Sequence, residues 1–555
     1  MSTNNRINRW LPLFGAIILA AGFWLGFMLA GGSARRPYQD KLSRLYEIIE
    51  NDYVDAIDLD SLLETQIPSL LKSLDPHSSY IPASDLEEVN GELEGSFGGV
   101  GIQFQVMNDT ICVVEVIPGG PAEKVGLLPG DRIIAVDTID IISRHISDED
   151  VRSMLRGQKG TEVRVKVKRN NSARPLTFDI VRGEIPVTSV DAAYMIDPKT
   201  GYVKVNRFSK TTYSEFLQAI SQLRYNGAES LIIDLRGNGG GYMEPAILMA
   251  NEFLPPYSSI VMTKGRDTDS NSSIISDGTG AFSDIPLVVL VDEFTASSSE
   301  IFSGAIQDND RGLVVGRRTF GKGLVQRPIL LPDSSEVRLT VQRYYTPSGR
   351  CIQKNFQRGQ ADKYDEEIIE RYNRGEVFNA DSINLNTNEI FKTLNGRTVY
   401  GSGGIMPDVF VPSDTTGYSS YYVNVSNAGL LQKYAYELAD LNREEFSKAK
   451  NVDDLLAMLP SDATLLQSFV SYAAQKGVPA RWHYINISAN LIVNYLKALI
   501  ARDTLGFSAS YEIFNSRDTA VARALQLLKD GEAQIPVRYE RLRTNDTEVT
   551  TEYNE

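Results

Sequence analysis

A serine that follows an apolar run and opens a helical pattern is the first candidate for chemistry. Ser297 lies six residues after Leu287–Val291, a run typical of a buried strand, and the residues after it are helical in pattern. Free N–H groups and the macrodipole at a helix N-terminus favour developing negative charge, which is how nucleophile turns are built on unrelated folds. Ser297-x-x-Glu300 also fits an ordinary capping box. The local pattern allows both roles, and one residue can fill both.

A serine hydroxyl needs a base, and the histidines do not provide one. The chain has three, His77, His145 and His483, and none lies in the region that carries Ser297. A lysine can act as the base if burial and nearby dipoles lower its pKa. Lys322 has glycine on both sides, which allows close backbone approach. The alternative is a solvated loop lysine with no special role.

The elements around these residues predict an α/β fold. Leu231–Leu235 and Leu287–Val291 are short continuous apolar runs, and Tyr213–Tyr225 has the period of an amphipathic helix. Apolar strands that alternate with helices indicate a layered α/β core, here over residues 184–412. Residues 358–398 are polar and predict an insertion or long loop. Residues 37–90 and 413–555 are mainly helical in pattern, with a disordered tail from Pro536.

Residues 91–183 have a different pattern of short strands and glycine turns. Gly99-Val100-Gly101-Ile102 opens the first strand, Pro121 and Gly126 bracket a short helix, and 161–168 alternates strictly. This order resembles a PDZ domain. The resemblance implies that the loop of Gly99, Val100, Gly101 and Ile102 turns backbone N–H groups toward the terminal carboxylate of a peptide, which adds as a strand to the sheet edge.

The ordered motifs resemble those of the C-terminal processing proteases, the tail-specific S41-type serine peptidases. The motifs that carry this resemblance follow one another along the chain: Leu74–Pro82, the PDZ-like unit, Asp234–Gly241, Thr295–Ile301, Phe320–Gln326 and Tyr344–Arg350. The family pattern usually has Ala where Ser298 stands. Since only the backbone N–H of that residue is needed, we expect the change to be tolerated, although Ser298 becomes a rival nucleophile.

The resemblance implies a role for each matching residue. Ser297 corresponds to the nucleophile, Lys322 to the general base and Gln326 to the residue that orients the lysine amine. The backbone N–H of Ser298 and of a glycine in the Gly239-Gly240 turn would form the oxyanion hole. The reaction implied is acyl transfer to Ser297 and then to water, with no metal and no organic cofactor.

The N-terminal residues predict export. Leu11–Ala30 contains no charged residue and is long enough for a bilayer, and two arginines precede it. We expect an uncleaved membrane anchor (residues 1–36) with the remaining chain in the periplasm or another extracytoplasmic space. Cleavage near Ala30 or Ala34 would instead give a secreted protein. A net charge of −15 argues against nucleic-acid binding.

The expected architecture is therefore an α/β protease core with an inserted PDZ-like domain, an N-terminal transmembrane helix and a helical C-terminal extension. The expected partners are protein substrates bound through their C-termini, and the extension offers surface for an adaptor or for self-association. Two other functions remain open. One is a catalytically inactive, membrane-anchored PDZ scaffold, and the other is an α/β enzyme with a glycine-rich oxyanion turn, such as an acyl-CoA hydratase or isomerase.

Overall fold

The structure is a computed structural model that describes residues 15–22, 37–107, 110–142, 146–169, 172, 174–384 and 388–533, of which 37–40 in backbone only. Residues 15–22 are helical. Across these described ranges, no helix is both long enough and apolar enough to cross a bilayer. Most of the expected membrane segment, His145 and the tail from Pro536 lie outside the described residues.

The chain divides into two compact units, residues 1–71 and 72–555. Among its described residues, the first contains the helical residues 15–22 and two further helices: α1 (Pro37–Asp52) and α2 (Leu59–Lys72, which ends one residue past the boundary). The sequence predicts a mainly helical pattern over residues 37–90, and the structure divides the first part of it into these two helices. Residues 53–58 separate the two helices. The Asp58 carboxylate accepts the Asp60 N–H at 3.1 Å in the manner of a helix cap, so α2 begins as a separate helix.

In the second unit, a short strand and a helix precede a small β-rich domain. They are β1 (Ser79–Ile81) and α3 (Leu86–Glu94). The elements of the β-rich domain are β2 (Ser96–Gly99), β3 (Ile102–Met107), β4 (Thr110–Val116), α4 (Pro121–Val125), β5 (Arg132–Val136), β6 (Ile139–Asp140), α5 (Asp148–Leu155), β7 (Glu162–Lys168), β8 (Leu176–Val181) and β9 (Gly183–Pro186). Its main sheet has the order β3-β4-β5-β7-β8, with β6 beside β5, so β3 is an edge strand. β2 and β9 form a separate antiparallel ribbon at the domain entrance and exit.

The core contains a six-stranded sheet of order β10-β11-β12-β15-β16-β21, in which every pair except β10-β11 is parallel. Its strands are β10 (Val190–Asp197), β11 (Thr200–Val205), β12 (Ser230–Asp234), β15 (Leu287–Val291), β16 (Leu313–Gly316) and β21 (Val409–Phe410). Three helices cover one face: α6 (Thr212–Tyr225), α7 (Met243–Asn251) and α8 (Ser298–Asp308). Because β12 and β15 are parallel neighbours, the segments that leave their carboxyl ends emerge side by side.

A second sheet of five strands packs on this core and carries the Lys322 segment. Its order is β1-β18-β13-β14, and β17 forms a hairpin with β18. The strands are β13 (Ser259–Gly265), β14 (Ser272–Ile275), β17 (Leu324–Leu330) and β18 (Glu336–Tyr345), with a 3-10 turn at Thr268–Ser270. Lys322 therefore directly precedes the hairpin, and Gln326 lies on its first strand.

The described part of the polar stretch at residues 358–398 forms regular elements, which fits an insertion and not a long loop. It contains α9 (Ala361–Asn373), a 3-10 turn at Ala380–Ser382 and the strand β19 (Ile390–Lys392), which pairs with β20 (Thr398–Tyr400). Arg371 of α9 is fully buried, and its guanidinium donates to the carbonyls of Arg318 at 2.6 Å and Thr319 at 3.0 Å. The insertion thus holds the chain that leads to Lys322.

Eight helices among the described residues follow the core. They are α10 (Ser420–Asn427), α11 (Leu430–Leu441), α12 (Arg443–Phe446), α13 (Val452–Met458), α14 (Asp462–Gln475), α15 (Trp482–Leu505), α16 (Phe507–Asn515) and α17 (Thr519–Lys529). Most share their own hydrophobic core, centred on α15. The last helix, α17, packs instead on the second face of the six-stranded sheet, where Val521 and Leu527 contact a cluster that includes Ile232 and Leu290.

Candidate active site

The turn between β15 and α8 carries Ser297. Its backbone has φ 58° and ψ −117°, a conformation that costs of order 1–3 kcal/mol and that concentrates at functional sites. Thr295 holds the turn: its hydroxyl donates to the Leu235 carbonyl at 3.0 Å and accepts the Asp292 N–H at 2.9 Å. Ser297 is therefore fixed relative to the end of the neighbouring strand β12.

The carboxylate of Glu300 links the backbones of Ser297 and Lys322. One oxygen accepts the Ser297 N–H at 2.8 Å and the Lys322 N–H at 2.9 Å. The other accepts the Gly321 N–H at 2.7 Å and the Thr319 hydroxyl at 2.5 Å. The helix-cap interpretation of Ser297-x-x-Glu300 thus describes a real contact, but the same carboxylate also positions the lysine segment.

Glu300 is fully buried, and this burial raises its pKa to about 7 even though its hydrogen bonds favour the charged form.

Tyr344 of β18 makes a second bridge between the Ser297 and Lys322 backbones. Its hydroxyl lies 3.0 Å from the Ser297 carbonyl oxygen and 2.6 Å from that of Lys322. Two buried side chains therefore determine where the serine and lysine backbones lie relative to each other.

The amine of Lys322 is set up as a candidate base. Its Nζ donates to Oε1 of Gln326 at 3.1 Å. Burial lowers the pKa of Lys322, and the positive charge of Arg338 adds to this, whereas Glu300 and Asp75 raise it. The balance favours the neutral amine more than in an ordinary lysine.

The Leu74–Pro82 motif orients Gln326. The Gln326 amide nitrogen donates to the carbonyl of His77, which leaves Oε1 facing Lys322. The His77 ring lies 2.8 Å from the Tyr364 hydroxyl, and burial, with a contribution from Lys322, lowers its pKa to about 3. The ring is therefore neutral at physiological pH.

The glycine turn after β12 lies directly against Ser297. A Cβ on Gly240 would come within 2.7 Å of the Ser297 Cβ, and its φ of +100° also requires glycine. The Gly240 N–H donates to Oδ1 of Asn238 at 2.9 Å. No acceptor for the Gly239 N–H occurs in the part of the chain that the structure describes.

Ser298 is the rival nucleophile, and its hydroxyl is already engaged. The residue is 1% exposed, and Oγ donates to the Gly241 carbonyl at 2.9 Å. Ser297, by contrast, is only partly buried. The two adjacent serines therefore differ in both access and hydrogen bonding.

Ion pairs hold the residue that leads into the glycine turn. Arg236, which immediately precedes the turn, pairs with Asp234 at 2.6 Å and with Asp518 at 2.7 Å. Burial opposes ionisation of Asp234, but Arg236 and Lys204 hold its pKa well below the usual range. Asp518 belongs to the C-terminal helical region, a contribution that nothing in the sequence pattern indicates.

The predicted catalytic and oxyanion residues all line one cavity of about 500 Å³: Gly239, Gly240, Ser297, Ser298, Lys322 and Gln326. Sequence reasoning missed Tyr344 and Arg338, which line the same cavity. Tyr344 belongs to the Tyr344–Arg350 motif, which supported the family resemblance but gave Tyr344 no role of its own. Arg338 lies in an exposed-looking strand pattern that gives no local signal.

The four predicted peptide-binding residues line a separate cavity of about 230 Å³ in the β-rich domain: Gly99, Val100, Gly101 and Ile102. The cavity lies between the edge strand β3 and helix α5, and it is also lined by Asp148 and Arg152 of that helix and by Arg156, which directly follows it. Gly101 has φ +81°. A groove between an open strand edge and a helix, with cationic side chains, suits an extended peptide with a free carboxylate.

Three family models match the chain. Residues 199–360 match the model described as peptidase family S41, residues 112–169 match a PDZ domain, and residues 421–506 match a family of unknown function, DUF8443. The first two matches coincide with the core and with the β-rich domain. The third falls within the C-terminal helices.

The chain is similar to several carboxy-terminal processing proteases. It is 32% identical over 328 residues to CtpB of Bacillus subtilis (strain 168), covering 58% of this chain and 67% of that protein. It is 34% identical over 313 residues to the carboxy-terminal-processing protease of Bartonella bacilliformis, covering 56% and 71% respectively. Among solved structures, the photosystem II D1 C-terminal processing protease matches at 26% identity and a TM-score of 0.35, covering 67% of this chain and 87% of that one.

Proposed function

Because the chain belongs to the carboxy-terminal processing proteases of peptidase family S41, we propose that it cleaves other proteins near their C-termini with Ser297 as nucleophile and Lys322 as general base. The observation that carries the assignment is the Glu300 carboxylate, which binds the backbone N–H groups of both residues. Such a bridge fixes the relative position of a nucleophile and a base before substrate arrives.

In the proposed reaction, the neutral Lys322 amine takes the hydroxyl proton of Ser297 as Oγ attacks the scissile carbonyl carbon. The resulting ammonium gives a proton to the leaving amine, the C–N bond breaks, and an acyl ester on Ser297 remains. Lys322 then takes a proton from water as the water oxygen attacks the ester carbonyl carbon. The ester C–O bond breaks, Lys322 returns the proton to Oγ of Ser297, and the new carboxyl terminus is released. Gln326 accepts a hydrogen bond from Nζ, so the lone pair of the neutral amine can face Ser297.

We assign the oxyanion hole to the backbone N–H groups of Ser298 and Gly239. The Gly240 N–H is occupied by Asn238, which favours Gly239 of the two glycines. Gly240 instead provides the space for the turn to approach Ser297. Loss of one such preorganised donor typically costs about 3–4 kcal/mol of transition-state stabilisation.

PDZ domains bind peptide C-termini, and we propose that this one selects substrates by the free carboxylate. The peptide would add beside the edge strand β3, with its carboxylate at the Gly99–Ile102 loop and near Arg152.

We also propose an extracytoplasmic, membrane-anchored location. That proposal rests on the charge-free stretch Leu11–Ala30 of the sequence.

The test is cleavage of an unstructured protein that ends in apolar residues, with the products identified by mass spectrometry. Wild type and Ser298→Ala should cut it, whereas Ser297→Ala and Lys322→Ala should not. Arg152→Gln should slow cleavage of this protein more than cleavage of a short reporter peptide that has an amidated C-terminus. If wild type cuts nothing while folded and the PDZ groove still binds C-terminal peptides, the scaffold function replaces the protease.

A further inference from the structure

A second and larger cavity, of about 1010 Å³, adjoins the catalytic one. Leu324 lines both. The larger cavity, here named the cationic cleft, is lined by five basic side chains, Lys264, Arg266, Arg343, Lys354 and Arg358, and by two carboxylates, Asp75 and Glu389. The whole chain carries a net charge of −15, so a concentration of positive charge next to its candidate active site is unexpected from composition.

Both carboxylates of the cleft are already used within the fold. Asp75 is buried and accepts hydrogen bonds from the N–H groups of His77 and Ser78, each at 2.8 Å. Glu389 accepts the hydroxyl of Ser402 at 2.6 Å. Neither one pairs with an arginine of the cleft among the described residues.

Of the basic side chains, Lys354 is committed to Glu367 at 3.1 Å, and Lys264 lies over the Tyr345 ring. The other three, Arg266, Arg343 and Arg358, are exposed. Within the described ranges, none of these three guanidinium groups has a hydrogen-bond or ion-pair partner. A single exposed arginine is ordinary, but three around one concave surface are a binding feature, since a cleft with an excess of one charge sign concentrates its field.

The cleft is built onto the segment that carries Lys322. Gln353, which lines the cleft, accepts the N–H of Gly323 at 2.8 Å, and Leu324 follows in the wall between the two cavities. A polypeptide held across Ser297 would continue beyond the catalytic cavity on one side of the scissile bond. The adjoining cleft, of about 1010 Å³, offers space for that continuation.

We propose that the cationic cleft binds an acidic segment of the polypeptide being cleaved. Carboxylates suit the site because a guanidinium offers them two parallel donors. The inference rests on the proposed protease function for its substrate, but the binding itself does not require catalysis.

The test uses pairs of reporter peptides that share one scissile region and one apolar C-terminus and differ in a stretch of four Glu or four Gln. One pair has this stretch before the scissile region and another has it after, so that both directions are covered. With wild type at 0.1 M salt, KM for the Glu peptide of one pair should be about tenfold below that for its Gln partner. The difference should shrink at 1 M salt, where the Debye length falls from about 10 Å to about 3 Å.

The variant Arg266→Gln/Arg343→Gln/Arg358→Gln should abolish the preference for the Glu peptide and leave KM for the Gln peptide unchanged. A matched control replaces three exposed arginines outside both cavities, Arg174, Arg481 and Arg517, by Gln. This control variant changes the net charge by the same amount as the cleft variant, and it should retain the preference for the Glu peptide. Equal KM values for Glu and Gln peptides in wild type would overturn the proposal, as would loss of the preference in the control.

Binding to the Ser297→Ala protein separates this inference from the function on which it rests. Fluorescence anisotropy of the labelled Glu peptides should show about tenfold tighter binding than that of the Gln peptides, and the cleft variant should remove the difference. If no peptide is cleaved but this preference is present, the protease proposal fails and the cleft stands. If peptides are cleaved without any such preference, the cleft proposal fails alone.

Discussion

At the scale of single residues, the site depends on Glu300. Its two oxygens accept four donors, three of them backbone N–H groups and two of these from Ser297 and Lys322. The sequence suggested the Ser297 contact as a helix cap, but it could not show that the lysine segment binds the same carboxylate. That segment follows 22 positions later, and only the packing of β18 and the insertion brings it there.

Glu300→Gln should therefore be harmful although the two side chains have the same shape. A Gln amide can present only one oxygen, so its NH₂ would face two donors and leave them unsatisfied, at a cost of about 1–3 kcal/mol. We expect a lower free energy of unfolding in urea and a fall in kcat. Glu252→Gln is the control: that glutamate is also buried and accepts hydrogen bonds from Tyr213 and Ala281, and none of these three residues lines the catalytic cavity. It should lose stability without losing kcat, and a kcat loss of equal size in both would argue against positioning by Glu300.

The pKa of Lys322 predicts the pH dependence. The base is the neutral amine, so kcat/KM should rise with pH as the folded protein deprotonates Lys322. Because burial lowers this pKa, the rise should lie below the range of an ordinary lysine, about 10.4. Arg338→Gln removes a cation that lowers the pKa, and the rise should move to higher pH. The control is Arg224→Gln, which removes an arginine that pairs with Asp284 at the surface, and it should not change the pH at which kcat/KM rises. A rise that did not move with Arg338→Gln would point to a different titrating group.

At the scale of elements, two parallel strands and one hairpin bring the chemistry together. β12 and β15 end side by side, which places the glycine turn against Ser297. The apolar pattern of the sequence predicts both strands, but it does not predict that they are neighbours in the sheet. The family resemblance from the ordered motifs is confirmed, as is the α/β core with a PDZ domain and a helical C-terminal region. The regular elements within residues 358–398 were not predictable, because α9 is held by a buried Arg371 whose partners include the distant carbonyls of Arg318 and Thr319 besides the nearby Glu376. Polar composition gives no sign of such contacts.

Asp518 tests whether the C-terminal helices support the glycine turn. Its Oδ1 caps α17 by accepting the N–H groups of Ala520 and Val521, and its Oδ2 pairs with Arg236. Asp518→Asn should keep the cap, since Asn caps helices about as well as Asp, but weaken the pair with Arg236. We expect kcat to fall about fivefold, or roughly 1 kcal/mol, with little change in Tm. Asp518→Ala also removes the helix cap, so its free energy of unfolding should be about 1 kcal/mol lower than that of Asp518→Asn. Unchanged kcat in Asp518→Asn would show that the turn does not need this support.

At the scale of the whole second unit, the C-terminal region is part of the core rather than an appendage to it. Val521 and Leu527 of α17 cover a face of the sheet that the sequence presents only as buried strands. Another helix, α11, reaches the PDZ domain, where Asp440 lies 3.3 Å from Arg132. Strand patterns predict that both sheet faces are covered, but they do not identify the covering helix, because that helix is more than 200 residues away in the chain.

A chain that ends at Pro412 should therefore fold poorly. Loss of α17 would expose the apolar face of Tyr202, Ile232, Val288 and Leu290, and exposed apolar patches of this kind cause aggregation. We expect most of the truncated protein in the insoluble fraction, or a Tm well below that of a chain ending at residue 533, measured by differential scanning calorimetry. A truncated chain with an unchanged Tm would show that the region is an independent module.

The central claim is that Ser297, activated by Lys322, is the nucleophile. The most direct measurement is to treat the active protein with a peptide diphenyl phosphonate and map the adduct by tryptic mass spectrometry. We expect phosphonylation of Ser297 alone, none in Ser297→Ala, and labelling at least a hundredfold slower in Lys322→Ala, the range expected for loss of a general base. An adduct on Ser298, or labelling that proceeds at the wild-type rate in Lys322→Ala, would contradict it.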